Sequence, residues 1–270
     1  MSGEYVIWLL APLSGAAEHH IAGWVSWHGR LMVLGWGILI PVGASLARYL
    51  KVLPGQDWPR ELDNKWWWHA HLLFQLSGVF FACLAAFLIW GHAVGATPLA
   101  QVHGYLGWCL SAFAAGQIVS GVLRGSKGGP TDGSIPAECL SSAGDHYLMT
   151  RRRLLFERLH KALGWLAIFV AAIVIVMGLV VADAPRWMFI GLSLWWIAYA
   201  ALSFYWQWQG RCIDTYQAIW GDDETLPGLR IKPIGWGIKR FSGLAWRNRL
   251  YGRALLPGLG FRAATRNRRG

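Results

Sequence analysis

Five long apolar stretches constrain this chain more than any other feature of its sequence. Each is about as long as the ~20 residues that a helix needs to cross a lipid bilayer. Because backbone polar groups in lipid must be hydrogen-bonded within their own segment, each stretch should be α-helical. The sequence therefore predicts an all-α integral membrane protein with five transmembrane helices, segments A to E: Trp24–Leu50, Trp66–Trp90, Leu99–Leu123, Leu159–Val181 and Trp187–Trp206.

The composition supports a membrane protein. Of the 270 residues, 55% are hydrophobic and only 14% are charged, and the 19 tryptophans suit the two membrane interfaces. The net charge of +11 could indicate a nucleic-acid partner, but the basic residues flank the apolar stretches and no nucleic-acid motif accompanies them. We therefore expect membrane lipid, and no nucleic acid, as a partner.

The loops predict how the chain lies in the membrane. Lys and Arg are concentrated in the A–B loop, the C–D loop and the tail, whereas the B–C link has none. Because Lys and Arg mark the cytoplasmic side, we expect the N-terminus outside and the C-terminus in the cytoplasm. The predicted divisions are a short outer segment (1–23), a transmembrane domain (24–206) and a basic tail (207–270). Aromatic residues interleaved with arginines favour a tail that lies partly on the membrane surface. A basic tail in solvent is an equally good interpretation.

Four histidines stand near the starts of successive apolar stretches: His28, His71, His103 and His160. An ionisable side chain inside a membrane is costly without a partner, so such a residue is a functional candidate by default. Antiparallel neighbours place the first and third histidines near the outer face, and the second and fourth near the inner face. These four residues are therefore candidate metal ligands in two pairs, roughly 20 Å apart along the membrane normal at 1.5 Å per helical residue.

A pair of histidines closes both axial positions of a b-type haem, which suits electron transfer. The four cysteines form no CxxCH attachment motif, so we expect two non-covalent b-type haems. Gly107 and Gly164 each follow a ligand by four residues on the same helical face, where a missing side chain leaves room for a flat macrocycle. Gly35 and Gly78 follow their histidines by seven residues.

Alternatives to this interpretation remain open. The glycines could be small-residue contacts between membrane helices, and His28 and His160 could be interfacial rings. His69 is a rival ligand to His71, which we favour because Gln75 and Gly78 share its helical face. Basic residues beside His160 could bind an anionic electron donor, although the positive-inside rule alone would also place them there. They include Arg152, Arg153, Arg158 and Lys161.

At these histidines the chain resembles the cytochrome b561 family, particularly the five-helix membrane domain that eukaryotes fuse to DOMON modules. The resemblance covers roughly residues 22–206 and includes HGRLMVLGWGILIPVGASLARYLK, WWWHAHLLFQLSG, VHGYLGW and RLHKALGW. It implies the same ligand pairing and an oxidoreductase role in moving electrons across membranes, often from cytoplasmic ascorbate. This chain has no DOMON module, a long C–D loop and an additional basic tail, so a quinol or a redox partner protein is at least as good a donor.

Transmembrane electron transfer through two haems is therefore the leading functional hypothesis. The first alternative is a haem-binding anchor subunit in a larger dehydrogenase or reductase complex, and the second is a haem-free transporter that uses histidines for protons. A bacterial cytoplasmic membrane is the expected location. The sequence leaves open the donor, the acceptor, the direction of transfer and whether two copies form a homodimer.

Overall fold

The computed structural model describes residues 2–17, 19–92, 97–129, 147–243 and 245, and within them it contains helices and loops but no β-strand. Segment A is continuous from Gly23 to Tyr49 and contains a π-helical turn. The elements in order are α1 (Ser2–Leu10), α2 (Gly23–Met32), the π turn (Val33–Leu39), α3 (Ile40–Tyr49), α4 (Trp66–Ile89), α5 (Pro98–Val122), α6 (Arg151–Val181), α7 (Arg186–Trp208), α8 (Thr215–Trp220) and a short 3-10 turn (Pro227–Arg230).

Five of these helical spans are long and apolar enough to cross a membrane, which confirms the predicted all-α architecture. Four of the five agree with the predicted bounds to within two residues at either end. Segment D differs, because α6 begins at Arg151 rather than at Leu159. The Thr150 hydroxyl caps the extra turns by accepting from the Arg153 N–H at 3.3 Å. A prediction based on apolar residues places the start of a helix after its last charged residue. It therefore misses the basic first turns of α6, which the Thr150 cap stabilises.

The bundle is built from two helix pairs and one peripheral helix. Segment A packs along α4, and α5 packs along α6. Alanines at the pair contacts, such as Ala167 and Ala171, let the helices approach closely around a core that includes Trp36, Ile40 and Leu110. Large apolar side chains such as Phe87 and Phe204 point outward and are exposed. Apolar outward faces are what lipid requires of a spanning bundle.

A proline in segment A explains how the peripheral helix α7 is attached. Pro41 has no N–H, so the Gly37 carbonyl four residues earlier lacks its usual helical donor. The indole N–H of Trp195 on α7 donates to that carbonyl at 2.9 Å. The Tyr199 hydroxyl, one turn further along α7, donates to the Pro41 carbonyl at 3.0 Å. The irregular stretch of segment A therefore supplies the polar anchors for α7.

Gly35 and Gly78 lie directly against each other where the π turn crosses α4. A Cβ built on Gly35 would meet the Gly78 carbonyl oxygen at 2.6 Å, which is too close for any side chain. Gly35 and Gly78 therefore form a small-residue contact between membrane helices. This is the alternative to a cofactor role that the sequence left open.

The tail folds back onto the predicted inner end of the bundle. Residues 211–241, named here the inner cap, bury Ile213, Ala218 and Phe241 in a cluster with Val52 and Trp58 of the A–B loop. This packed cap was not predicted from the sequence. The tail beyond residue 245 and the loop 130–146, which includes Cys139, lie outside the described residues.

Candidate functional site

The first histidine pair joins α2 to α5. The imidazole rings of His28 and His103 have centroids 6.2 Å apart and lie 80° from coplanar. His28 Nδ1 lies 3.1 Å from the Ala85 carbonyl of α4, and His103 Nδ1 lies 3.0 Å from the Val174 carbonyl of α6. Each ring is thus held by a carbonyl near the end of an antiparallel neighbour.

The second pair joins α4 to α6 in nearly the same arrangement. The rings of His71 and His160 have centroids 6.2 Å apart and an interplanar angle of 74°. His71 Nδ1 lies 3.0 Å from the Gly43 carbonyl of α3. One turn along α4, Gln75 donates to the Ile40 carbonyl at 2.9 Å, so both polar side chains of the H-x3-Q sequence attach α4 to α3.

These carbonyl contacts define the tautomer of three of the four rings. A carbonyl oxygen can only accept, so the proton of each neutral ring is on Nδ1 in His28, His71 and His103. The lone pair is then on Nε2, the atom available to a metal. Orientation of a ligand ring through its other N–H is the usual second contact of a metal-binding histidine.

The spacing of each pair fits a six-coordinate iron between two imidazoles. Two metal–nitrogen bonds of about 2 Å, together with the distance from each nitrogen to its ring centre, require ring centroids about 6 Å apart. Both pairs have that separation, at 6.2 Å. Among the described residues no group of three or more His, Cys, Asp or Glu side chains could hold a metal ion.

The two pairs lie at opposite ends of the bundle. Gly43, whose carbonyl contacts His71, lies on the same continuous span as His28. The two residues are 15 positions apart on that span. That separation corresponds to roughly 22 Å along a helix at 1.5 Å per residue. This separation is comparable with the roughly 20 Å expected from the antiparallel arrangement of the helices.

His160 differs from the other three histidines. Its Nδ1 is buried and has no hydrogen-bond partner among the described residues. The ring instead packs against Phe156, one turn earlier on α6, with centroids 4.8 Å apart. This ring is oriented by packing alone, so the second pair is less firmly held than the first.

The glycines near the paired histidines divide into two kinds. A Cβ on Gly107 or Gly164 would have no heavy atom within 4 Å, so both positions border open space. A Cβ on Gly178 would lie 2.9 Å from Cε1 of His103. Gly178 was not singled out in the sequence because it lies on α6, far from the histidine that it accommodates.

The basic residues beside His160 are partly neutralised by a carboxylate that the sequence pattern had not singled out. Glu157, which is 4% exposed, accepts from Arg153 Nε at 3.0 Å and from Lys161 Nζ at 2.8 Å. The i, i+4 spacing on either side of Glu157 is a sequence signal for both ion pairs. Of the four predicted donor-site residues, Arg152 and Arg158 are exposed, whereas Arg153 is buried and Lys161 is half-buried.

A buried ammonium lies close behind the second pair. Lys51 is 4% exposed, and its Nζ donates to the Ile213 carbonyl of the inner cap at 3.1 Å. Burial, together with the nearby positive charge of Lys161, lowers the pKa of Lys51 to about 7. Lys51 therefore carries a fractional charge near neutral pH.

The remaining histidines lie apart from the pairs. His69 is exposed, whereas His71 faces His160. His92 stacks on Trp24 with centroids 4.1 Å apart. His19 Nε2 contacts the Ala182 carbonyl at 3.1 Å. His146 lies outside the described residues.

The sequence is similar to those of three known proteins whose names share one domain. Three proteins of Arabidopsis thaliana are similar: a cytochrome b561, DM13 and DOMON domain-containing protein, with 26% identity over 63% of this chain, and two cytochrome b561 and DOMON domain-containing proteins, with 27% identity over 58% and 26% over 62%. The matches cover 16%, 31% and 35% of those relatives, so this chain spans only a minor part of their length.

No family model and no solved structure matches the chain. The three relatives nevertheless share the cytochrome b561 name, and the described part of this chain has five helices long and apolar enough to cross a membrane. The chain is therefore a membrane protein related to the cytochrome b561 family.

Proposed function

We propose that this protein carries electrons across a membrane through two non-covalent b-type haems, held by His28 with His103 and by His71 with His160. The observation that carries the proposal is the presence of two facing imidazole pairs, one near each end of the bundle, both at a centroid separation of 6.2 Å. A haem with two histidine ligands supplies reversible one-electron exchange and leaves no open position for oxygen chemistry.

The residues of the chain would make that exchange fast and selective. The backbone carbonyls of Ala85, Gly43 and Val174 hold three of the rings in one orientation, which limits rearrangement when the charge of the site changes. Open space beside Gly107 and Gly164 accommodates a flat group next to the rings. All four rings are partly buried between helices, so nearby fixed charges act more strongly on a site there than they would in water.

The predicted cytoplasmic end is the candidate entry point for a donor. Arg152 and Arg158 are exposed and could attract an anion such as ascorbate. Arg153 and Lys161 are less available because Glu157 pairs with both. A quinol, which would enter from the lipid, needs none of these charges. The proposal therefore includes either donor.

Two measurements on the purified protein test the proposed function. A pyridine haemochrome assay should find two haems per chain, with sharp low-spin α-bands after reduction. Vesicles loaded with ferricyanide should then reduce it when ascorbate or a water-soluble quinol is added outside. Vesicles containing the His28→Ala, His71→Ala double variant are the matched control and should be inactive.

Different results would point to different errors. One haem per chain would contradict the two-site proposal. Two haems without transfer to the vesicle interior would favour an anchor subunit that exchanges electrons on one side only. Haem-free protein would favour the transporter hypothesis.

A further inference from the structure

An apolar groove lies between α3 and α7, away from the histidine pairs. It encloses about 180 Å³ and is lined mainly by Val42, Leu46, Trp195, Ala198, Leu202 and Trp206. Two of the three hydroxyls in its wall are engaged, because Ser45 and Tyr199 are hydrogen-bonded at 2.8 Å and Tyr199 also donates to the Pro41 carbonyl; the third belongs to Ser203. The groove therefore offers a hydrocarbon surface rather than polar contacts.

Two arginines border the end of this groove at Trp206. The backbone N–H of Arg211 donates to the Trp206 carbonyl at 3.1 Å, and Arg48 Nη2 donates to Gln207, the next residue of the chain, at 2.9 Å. The side chain of Arg211 reaches the Tyr49 carbonyl through Nε at 3.4 Å, and the Tyr49 ring lies 5.5 Å from the Trp206 ring. The backbone of Arg211 and the side chain of Arg48 thus contact the last turn of α7, where the groove ends at Trp206.

Among the described residues these two arginines have no counter-ion. Arg211 is only 7% exposed, and its Nη2 has no hydrogen-bond partner among the described residues. Arg48 contacts Gln207, the Trp236 carbonyl and aromatic rings. Within the described ranges, neither guanidinium has a carboxylate at ion-pair distance. A buried guanidinium without an anion is costly, so a negative partner would stabilise this end of the bundle.

We propose that the groove and its two arginines form a binding site for one anionic phospholipid of the inner leaflet. An acyl chain fits the apolar groove, and a phosphate matches the planar donor geometry of a guanidinium. Basic pockets between membrane helices at the cytoplasmic side are suited to anionic headgroups. The site lies on the peripheral helix, so the lipid would fasten α7 to the bundle. Nothing in this assignment depends on the haems.

Native mass spectrometry of the detergent-solubilised protein tests the site. The protein should retain one phosphatidylglycerol and bind it about tenfold more tightly than phosphatidylcholine, as expected for charge-assisted hydrogen bonds. Arg48→Gln and Arg211→Gln should abolish that preference. Ala198→Trp, which fills the groove, should weaken the binding of both lipids. Arg152→Gln is the matched control, because it removes an exposed arginine from the same predicted face.

Two further measurements distinguish a bound lipid from a bound phosphate ion. Millimolar inorganic phosphate should not displace phosphatidylglycerol, and displacement would show a phosphate site rather than a lipid site. Equal affinity for the two lipids in the wild type would overturn the proposal, as would an unchanged preference in Arg48→Gln. Thermal unfolding by tryptophan fluorescence checks that each variant is folded. If Arg211→Gln does not fold, Arg48→Gln and Ala198→Trp still decide the outcome.

Discussion

At the scale of single residues, the choice between His71 and His69 is the sharpest that this chain offers. The two side chains are two positions apart on α4, yet His71 faces His160 and His69 is exposed. We expect His71→Ala to remove one of two haems, because losing one axial ligand leaves the iron weakly held. His69→Ala should keep both. Haem content per chain and the amplitude of the reduced α-band measure the outcome, and the reverse pattern would move the ligand by two residues.

A second residue-scale prediction concerns Glu157, three positions before His160. Its carboxylate neutralises Arg153 and Lys161, so Glu157→Gln should leave extra positive charge near that ligand. Positive charge favours the reduced haem, and one charge at about 10 Å with an effective dielectric of about 20 corresponds to about 1–2 kcal/mol. The midpoint potential of the haem at His71 and His160 should therefore rise by several tens of millivolts, on the order of 50 mV.

Arg152→Gln is the control for this experiment. That arginine is solvent-exposed, so salt screens its charge and the potential should fall only slightly. Redox titration followed at the α-band measures both variants. A lower potential in Glu157→Gln would show that the carboxylate acts through structure rather than through charge.

The sequence could identify a residue as a candidate when the pattern that marks it lies within a single helix. The histidines were found because each stands near the start of its own apolar stretch. Glu157 had a local signal too, in its spacing of four residues from Arg153 and Lys161. Gly178 had none, because its partner His103 is 75 residues away in the chain and meets it only after α5 packs on α6.

At the scale of elements, the contact between α5 and α6 leads to a prediction about Gly178. A Cβ there would lie 2.9 Å from the His103 ring, so Gly178→Ala should push the ring or separate the helices. We expect a broadened or shifted α-band for the haem at His28 and His103, together with lower thermal stability. Gly116→Ala is the matched control, because a Cβ at Gly116 has no heavy atom within 4 Å and that glycine is exposed. A normal spectrum for Gly178→Ala would mean that the two helices can move apart at no cost.

The ends of a helix could be predicted from the sequence where hydrophobicity alone determines them. Segments A, B, C and E agree with the helices closely. The early start of α6 depends on a threonine cap and an ion pair, which a hydropathy criterion does not include. The π turn was not predicted from the sequence, because a proline such as Pro41 indicates a disturbed helix without specifying its geometry.

At the scale of the whole molecule, the inner cap is the part that sequence reasoning missed. Its sequence has no helical or strand-like hydrophobic periodicity, which would have distinguished a packed segment from a surface tail. Its order comes instead from long-range pairs such as Arg240 with Asp214 at 2.8 Å and Lys161 with the Ile234 carbonyl at 2.9 Å. The cap brings these charges to the end of the bundle that carries His71 and His160, and couples the fold of the tail to that site.

Lys51, which ties the A–B loop to the cap through the Ile213 carbonyl, should make this coupling depend on pH. Burial lowers its pKa to about 7, whereas a lysine in the unfolded chain titrates near ~10.4. Between these values the unfolded chain binds more protons, so stability rises with pH through this window, by at most about 1.4 kcal/mol per pH unit. Below pH ~7 both states are protonated and the full cost of the buried charge remains.

Replacing the ammonium with an apolar side chain of similar length should therefore remove this dependence. We expect Lys51→Met to flatten the rise in thermal stability between pH 7 and 9, and to exceed the wild type most clearly at pH 6, where the wild type buries a full charge. Unfolding midpoints from tryptophan fluorescence at several pH values measure the effect. Lys232→Met is the control, because Lys232 is exposed and should leave the pH profile unchanged. A Lys51→Met profile parallel to the wild type would show that the cap does not keep this ammonium out of water.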